Sequence, residues 1–146
     1  MLTDITKRIT IVCAIFLSLS LFCACNHNSL DTPSTLPGND AVAVYHKITP
    51  KEAKEVMDKG EPYILLDVRT DEEYSEKRIE GAILIPDFEI GSRAGSELPD
   101  KDALILVYCR GGRRSANAAN ELVSLGYTNV YDIGGINDWP YDTVSK

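Results

Sequence analysis

The feature that most constrains this chain is an apolar run that stops at a cysteine and a glycine-arginine loop. Residues 103–108, Ala103-Leu104-Ile105-Leu106-Val107-Tyr108, are continuously hydrophobic and follow the turn residues Pro99 and Asp100. A short run that does not alternate predicts a strand buried on both faces, and such strands belong to parallel sheets covered by helices on either side. Cys109-Arg110-Gly111-Gly112-Arg113-Arg114-Ser115 comes next. Beyond it Ala119, Leu122 and Val123, with Ala118 and Leu125, recur at helical spacing, and Gly126 stands where a C′ glycine ends a helix. The spacing predicts a helix that begins near Ser115. Strand, tight loop and helix N-terminus together put Cys109 at the carboxyl end of a central strand, where open α/β sheets bind ligands. The free amides of the first helical turn, with their partial positive charge, are expected to face the sulfur.

The chemistry follows from what surrounds the thiol. A free cysteine is only a few per cent thiolate at neutral pH, so a nucleophilic one needs a base or a positive field. The chain has two histidines, His27 in a polar segment and His46 in or beside the first predicted strand, and neither makes a convincing dyad partner. A field is better supplied: Arg110, Arg113 and Arg114 lie within five residues of Cys109, beside a helix N-terminus. Gly111 and Gly112 allow the backbone to curl with its N–H groups inward, as an anion-binding nest does.

Cys-Arg-Gly-Gly-Arg-Arg-Ser after an apolar strand resembles the active-site loop of rhodanese-like sulfurtransferases. Leu65-Leu66-Asp67-Val68-Arg69, then Glu73-Tyr74 and Gly81-Ala82-Ile83-Leu84-Ile85-Pro86, resemble that family's first signature block. Asp132-Ile133-Gly134-Gly135-Ile136-Asn137-Asp138-Trp139 resembles its terminal Gly-Gly-x-x-x-Trp block. The three blocks stand in the family's order and cover most of residues 48–139. The chain departs from the pattern at Lys77-Arg78-Ile79-Glu80, where the family usually reads Gly-His-Ile-Pro. The resemblance implies an α/β three-layer domain around a parallel five-stranded sheet. It also implies a two-step transfer, in which Cys109 takes the outer sulfur of a donor such as thiosulfate as a persulfide and hands it to cyanide or another thiol. Arg110, Gly111, Gly112, Arg113, Arg114 and Ser115 would then bind the anionic donor and stabilise the persulfide, and no cofactor or metal is called for.

Other readings of the loop remain. Tyrosine-phosphatase and arsenate-reductase loops hold oxyanions in a Cys-x5-Arg ring, but here the position such a ring needs is Ser115, and the shorter ring leaves less room for a tetrahedral phosphate. A buried structural cysteine is common in general, yet a glycine-arginine loop is a poor place for an inert one. A non-catalytic binding lipoprotein that retains the fold is the third alternative. Asp67 and Arg69 are possible supporting residues, although a carboxylate and a guanidinium at a strand end more often fix the neighbouring loop through hydrogen bonds.

The amino-terminal part reads as a targeting segment. Residues 1–24 hold a short charged start and an apolar stretch, 9–22, too short for a comfortable membrane span and of secretory-signal proportions. Leu21-Phe22-Cys23-Ala24-Cys25 resembles a bacterial lipobox, with Cys25 as the residue to be lipidated. Residues 25–42 are rich in Asn, Ser, Thr, Pro and Gly and read as a flexible tether reaching about 20 to 25 Å. The domain proper is expected over 43–146, outside the cytoplasm and anchored by lipid to a membrane of a bacterial envelope. Of four cysteines, Cys13 and Cys23 fall in the removable segment and Cys25 would carry lipid, so Cys109 is left as the sole thiol and no internal disulfide can form. The formal charge is -7, and the first 24 residues carry Asp4, Lys7 and Arg8, so a chain beginning at Cys25 stands near -8. So acidic a body argues against a nucleic-acid partner and makes the arginine loop a local positive spot.

The remaining elements fill in the scaffold. Residues 42–48 read as a first strand. Thr49-Pro50-Lys51-Glu52 is a capping box with proline at N1, opening a helix that ends at Gly60. Residues 63–68 read as a second buried strand, followed by a second capping box at Thr70-Asp71-Glu72-Glu73. Residues 82–85 form a short strand stopped by Pro86, and 129–133 the last strand. Because 87–98 contains Gly91 and Gly95, only a broken or weak helix is expected there. Trp139 is expected to pack a closing turn onto the sheet.

Overall fold

The computed structural model describes residues 44–146. The expected leader 1–24, the tether 25–42 and with them Cys13, Cys23, Cys25 and His27 lie outside the described residues. The apolar run becomes β4 (Ile105–Cys109), buried along its whole length because strands flank it and helices cover both of its faces. It sits at the centre of a five-stranded, all-parallel sheet of order β1-β5-β4-β2-β3. The other strands are β1 (His46–Lys47), β2 (Ile64–Asp67), β3 (Ile83–Leu84) and β5 (Val130–Gly135).

Alternation along β4 builds two cores. Ile105, Val107 and Cys109 pack with Leu66 and Val68 under α3 (Ile90–Glu97) and α4 (Arg113–Ser124). Leu106 and Tyr108 face the other way, toward α1 (Pro50–Asp58) and α2 (Asp71–Glu76), and pack with Ala53, Ile79, Ile133 and Trp139. Each large apolar side chain fully buried in this way contributes about 1.5 to 3 kcal/mol. The three layers and the five parallel strands expected from the sequence are thus present.

Both capping boxes form. Thr49 and Thr70 accept the N–H of Glu52 and Glu73, and those carboxylates accept the threonine N–H groups in return. Within the described part of the expected stretch 42–48 only His46 and Lys47 are strand, since this is an edge strand paired with β5 alone. The last strand extends past Ile133 to Gly135, drawn on by its pairing with Tyr108 and Cys109.

One expectation is overturned. Residues 90–97 form an unbroken helix despite Gly91 and Gly95, preceded by a 3-10 turn over Asp87–Glu89. Two things offset the glycines. Arg93 pairs with Glu89 one turn before it (2.5 Å) and Glu97 one turn after it (2.6 Å). Ile90, Ala94 and Leu98 are fully buried, and the Tyr127 hydroxyl lies 2.7 Å from the carbonyl oxygens of both Ala94 and Leu98, tying down the helix end.

The departure at Lys77-Arg78-Ile79-Glu80 is accommodated by the carboxyl-terminal tail. Arg78 and Val144 exchange two main-chain hydrogen bonds of 2.8 Å in an antiparallel bridge, and the Lys146 N–H reaches the Ser75 carbonyl. Ile79 is buried, and its N–H donates to the Tyr108 hydroxyl at 3.2 Å. Trp139 is 7% exposed behind the 3-10 turn Ile136–Asp138, edge-on to Tyr141.

Candidate active site

Cys109 is the last residue of β4 and stands opposite Gly135 of β5. It is 1% exposed, and its sulfur accepts the Gly112 N–H at 3.1 Å. Only Arg110, Gly111 and Gly112 form the turn, because α4 starts at Arg113, two residues earlier than the apolar spacing indicated. Gly112 is its N-cap and has φ +91°, a left-handed conformation that disfavours any residue with a Cβ. That twist is what aims the Gly112 amide back at the sulfur. The amides of Arg113, Arg114 and Ser115 occupy the first helical turn, where the helix offers no acceptor. The first intrahelical bond runs from Ala116 N–H to Gly112 O.

The loop rests on a glycine floor supplied by β5. A Cβ placed on Gly135 would lie 2.6 Å from Arg110 O and 2.7 Å from Gly111 Cα, so only glycine permits the loop to come this close. The Asn137 N–H donates to Arg110 O at 3.2 Å and closes the same contact from beyond the strand. Ser115 is fully buried; its hydroxyl donates to Gly112 O at 3.0 Å and lies 3.3 Å from Gly134 O. Its side chain therefore fastens the loop to β5 and is not turned toward an incoming anion.

The three arginines divide. Arg110 and Arg113 are exposed. Arg114 is half-buried, and both arms of its guanidinium donate to Glu73 at 2.8 Å, one to each carboxylate oxygen. This bond, with the nearby Cys109 and Asp87 charges adding to it, raises the Arg114 pKa further, while Arg114 in turn holds the Glu73 carboxyl below the usual carboxylate range. The sequence marks Glu73 as the N3 residue of the second capping box and as part of the first signature block, but not as the partner of Arg114; the signal that could have found this task is the need of a loop with three arginines for an acidic partner.

Asp67 and Arg69 are brought to the neighbouring strand end but not onto the sulfur. The buried Asp67 carboxylate accepts the Arg69 main-chain N–H at 3.0 Å and grips its guanidinium at 2.6 to 3.0 Å, and that guanidinium also donates to Lys77 O. The pair ties the exit of β2 to the exit of α2, the loop-fixing role weighed in the sequence. Burial pushes the adjacent Tyr108 hydroxyl well above the usual phenol range, with the Asp67 charge adding to the effect.

His46 lies on edge strand β1, which β5 separates from β4. Its register partner Tyr131 pairs in turn with Leu106, three residues before Cys109, so no histidine of the described residues reaches the thiol. Two clefts flank the loop. One, of about 190 Å³, is lined by Arg110, Arg69, Lys77, Glu73 and Asn137; the other, of about 380 Å³, runs along Gly111 and Gly112 to the start of α1. Among the described residues no group of three or more His, Cys, Asp or Glu side chains could hold a metal ion.

Residues 49–141 match the family model described as a rhodanese-like domain. The chain is 41% identical over 73 residues to the thiosulfate sulfurtransferase PspE of Escherichia coli, covering 50% of this chain and 70% of that one. It is 35% identical over 108 residues to the thiosulfate sulfurtransferase GlpE of Haemophilus influenzae, covering 68% and 96%. Of longer adenylyltransferase and sulfurtransferase relatives it spans 24% of the length. Among solved structures it resembles a rhodanese with anions from E. coli, with a TM-score of 0.55 and 36% identity over 58% of this chain and 100% of that one.

Proposed function

The chain belongs to the rhodanese-like family, and on that premise we propose that it is a sulfurtransferase whose sulfur carrier is Cys109. The observation that carries this reading is the Gly112 amide directed at the Cys109 sulfur from a three-residue turn at the head of α4. A turn of that size fits around a single sulfur anion. In the Cys-x5-Arg alternative the arginine position is Ser115, whose hydroxyl is engaged with Gly112 and Gly134, and the arginine before it is occupied by Glu73.

In the first half-reaction the Cys109 thiolate attacks the outer sulfur of thiosulfate. A sulfur–sulfur bond forms to Cys109, the bond to the sulfonate sulfur breaks, and sulfite leaves with the electron pair. The persulfide anion that results is stabilised by the Gly112 amide and by the free amides at the head of α4. In the second half-reaction cyanide or a thiolate attacks the outer sulfur, the Cys109 sulfur keeps the pair of the broken bond, and the thiolate is restored. The anionic donor is drawn by the exposed Arg110 and Arg113 together with Lys77 at the rim. Arg114 holds its charge near the sulfur without releasing Glu73.

The lipobox-like Leu21-Phe22-Cys23-Ala24-Cys25 and the polar stretch after it support a lipid anchor on Cys25 and a place in the bacterial envelope. The mass of the envelope form tests both parts together. A diacylglycerol-bearing Cys25 as first residue is expected, along with one added sulfur on the Cys109 peptide after thiosulfate treatment and none in Cys109→Ala. A wild-type protein that takes up no sulfur, or an adduct that persists in Cys109→Ala, refutes the transfer reading. An unmodified amino terminus refutes the anchor.

A further inference from the structure

Strand β5 carries a carboxyl that the sulfur chemistry leaves unexplained. Asp132 is 1% exposed, and its pairing with Val107 puts its side chain on the sheet face that carries Val107 and Cys109, the face covered by α4. Its Oδ1 accepts the Gly134 N–H at 3.0 Å, whereas Oδ2 is buried with no hydrogen-bond partner among the described residues. An orphaned buried oxygen is unfavourable. Among the described residues, the one hydrogen bond this carboxyl makes is that of Oδ1.

What Oδ1 holds is a bulge. The β4–β5 register slips between Val107 and Tyr108: Val107 faces Asp132, Tyr108 faces Gly134 and Cys109 faces Gly135, leaving Ile133 as the extra residue of β5. A bulge bends its strand and takes main-chain groups out of the ladder, and in a buried strand those groups need another partner. Asp132 reaches two residues ahead and supplies an acceptor for Gly134, which sits at φ +87°. The bend brings Gly135 up against Arg110 and Gly111, and it presents Gly134 O to the Ser115 hydroxyl.

We infer that Asp132 is a positioning residue for Cys109: by bonding the Gly134 amide across the bulge, it sets the height of the glycine floor that carries the Arg110–Gly112 turn. The inference rests on the reading of Cys109 as the reactive thiol. It does not depend on which donor supplies the sulfur.

The test compares Asp132→Asn, which keeps an acceptor oxygen at the same reach, with Asp132→Ala, which removes it. In the full chain, labelling of Cys109 by iodoacetamide at neutral pH is followed by mass on the Cys109 peptide, and kcat and KM for thiosulfate are measured alongside. The alanine variant is expected to label about tenfold more slowly and to lose kcat more than KM, while the asparagine variant stays within about threefold of wild type in both. Equal losses in the two variants, or no loss in the alanine variant, overturn the inference. Should Asp132→Ala not fold, hydrogen exchange of the wild-type Gly134 amide decides, since protection like that of its β5 neighbours is required and free exchange is disqualifying. A wild-type chain that labels normally yet takes no sulfur refutes the proposed activity and leaves the labelling comparison to judge Asp132.

Discussion

Glu73 and Arg114, 41 residues apart in sequence, meet through two parallel hydrogen bonds of 2.8 Å, and the same carboxylate caps the main chain of α2 at Thr70. One side chain thus links the start of α2 to the start of α4. Such a bidentate pair fixes the guanidinium in orientation as well as in distance. An arginine whose charge is felt at Cys109 is therefore placed by a residue outside its own loop.

Glu73→Gln is expected to lower sulfur transfer from thiosulfate about tenfold, because Arg114 is freed from its position near the sulfur. Steady-state rates with the donor varied report this directly. Acid unfolding should show it as well. Arg114 holds the Glu73 carboxyl below its ordinary value near 4.5, so the pair's contribution is fully present above that pH and is lost as the pH falls through the lowered folded value. Glu73→Gln should flatten that part of the stability curve and leave the neutral part parallel to wild type.

The two caps separate stability from function. Thr49→Ala and Thr70→Ala should each cost about 1 kcal/mol in urea unfolding, the usual worth of a threonine N-cap. Only Thr70→Ala is expected to slow transfer, since it loosens the turn that carries Glu73. Equal activities in the two variants would show that Glu73 is held by Arg114 alone.

Gly135→Ala and Gly111→Ala make a pair with opposite outcomes. A methyl on Gly135 falls 2.6 Å from Arg110 O, whereas one on Gly111 meets nothing within 4 Å. The first variant should lose most activity and about 1 to 3 kcal/mol of stability by overpacking, and the second should stay close to wild type in both. Thermal unfolding and thiosulfate turnover check the contrast.

Tyr108 predicts an alkaline limit. Burial and the Asp67 charge raise its pKa well above the ordinary value of 10.0, so the neutral hydroxyl contributes stability below that pH, and the contribution is lost as the pH climbs past it. Tyr108→Phe should remove this part of the alkaline decline. At neutral pH it should cost about 1 kcal/mol, because the Ile79 N–H loses its acceptor.

Local pattern was sufficient where short-range chemistry decides. The unbroken hydrophobicity of residues 103–108 announced a doubly covered central strand, the two Thr-x-x-Glu boxes marked helix starts, and the cysteine before two glycines and an apolar periodic run marked a strand-turn-helix junction. These depend on neighbours a few positions away along the chain. Tertiary structure alone decided the rest. Which arginine is committed depends on Glu73 arriving from α2, and the form of the loop depends on Gly135 and the Asp132-supported bulge arriving from β5. The continuity of α3 depends on burial against α4 outweighing the cost of two glycines. Each of these joins groups far apart in sequence, where distance and burial set the energy and no spacing along the chain records them.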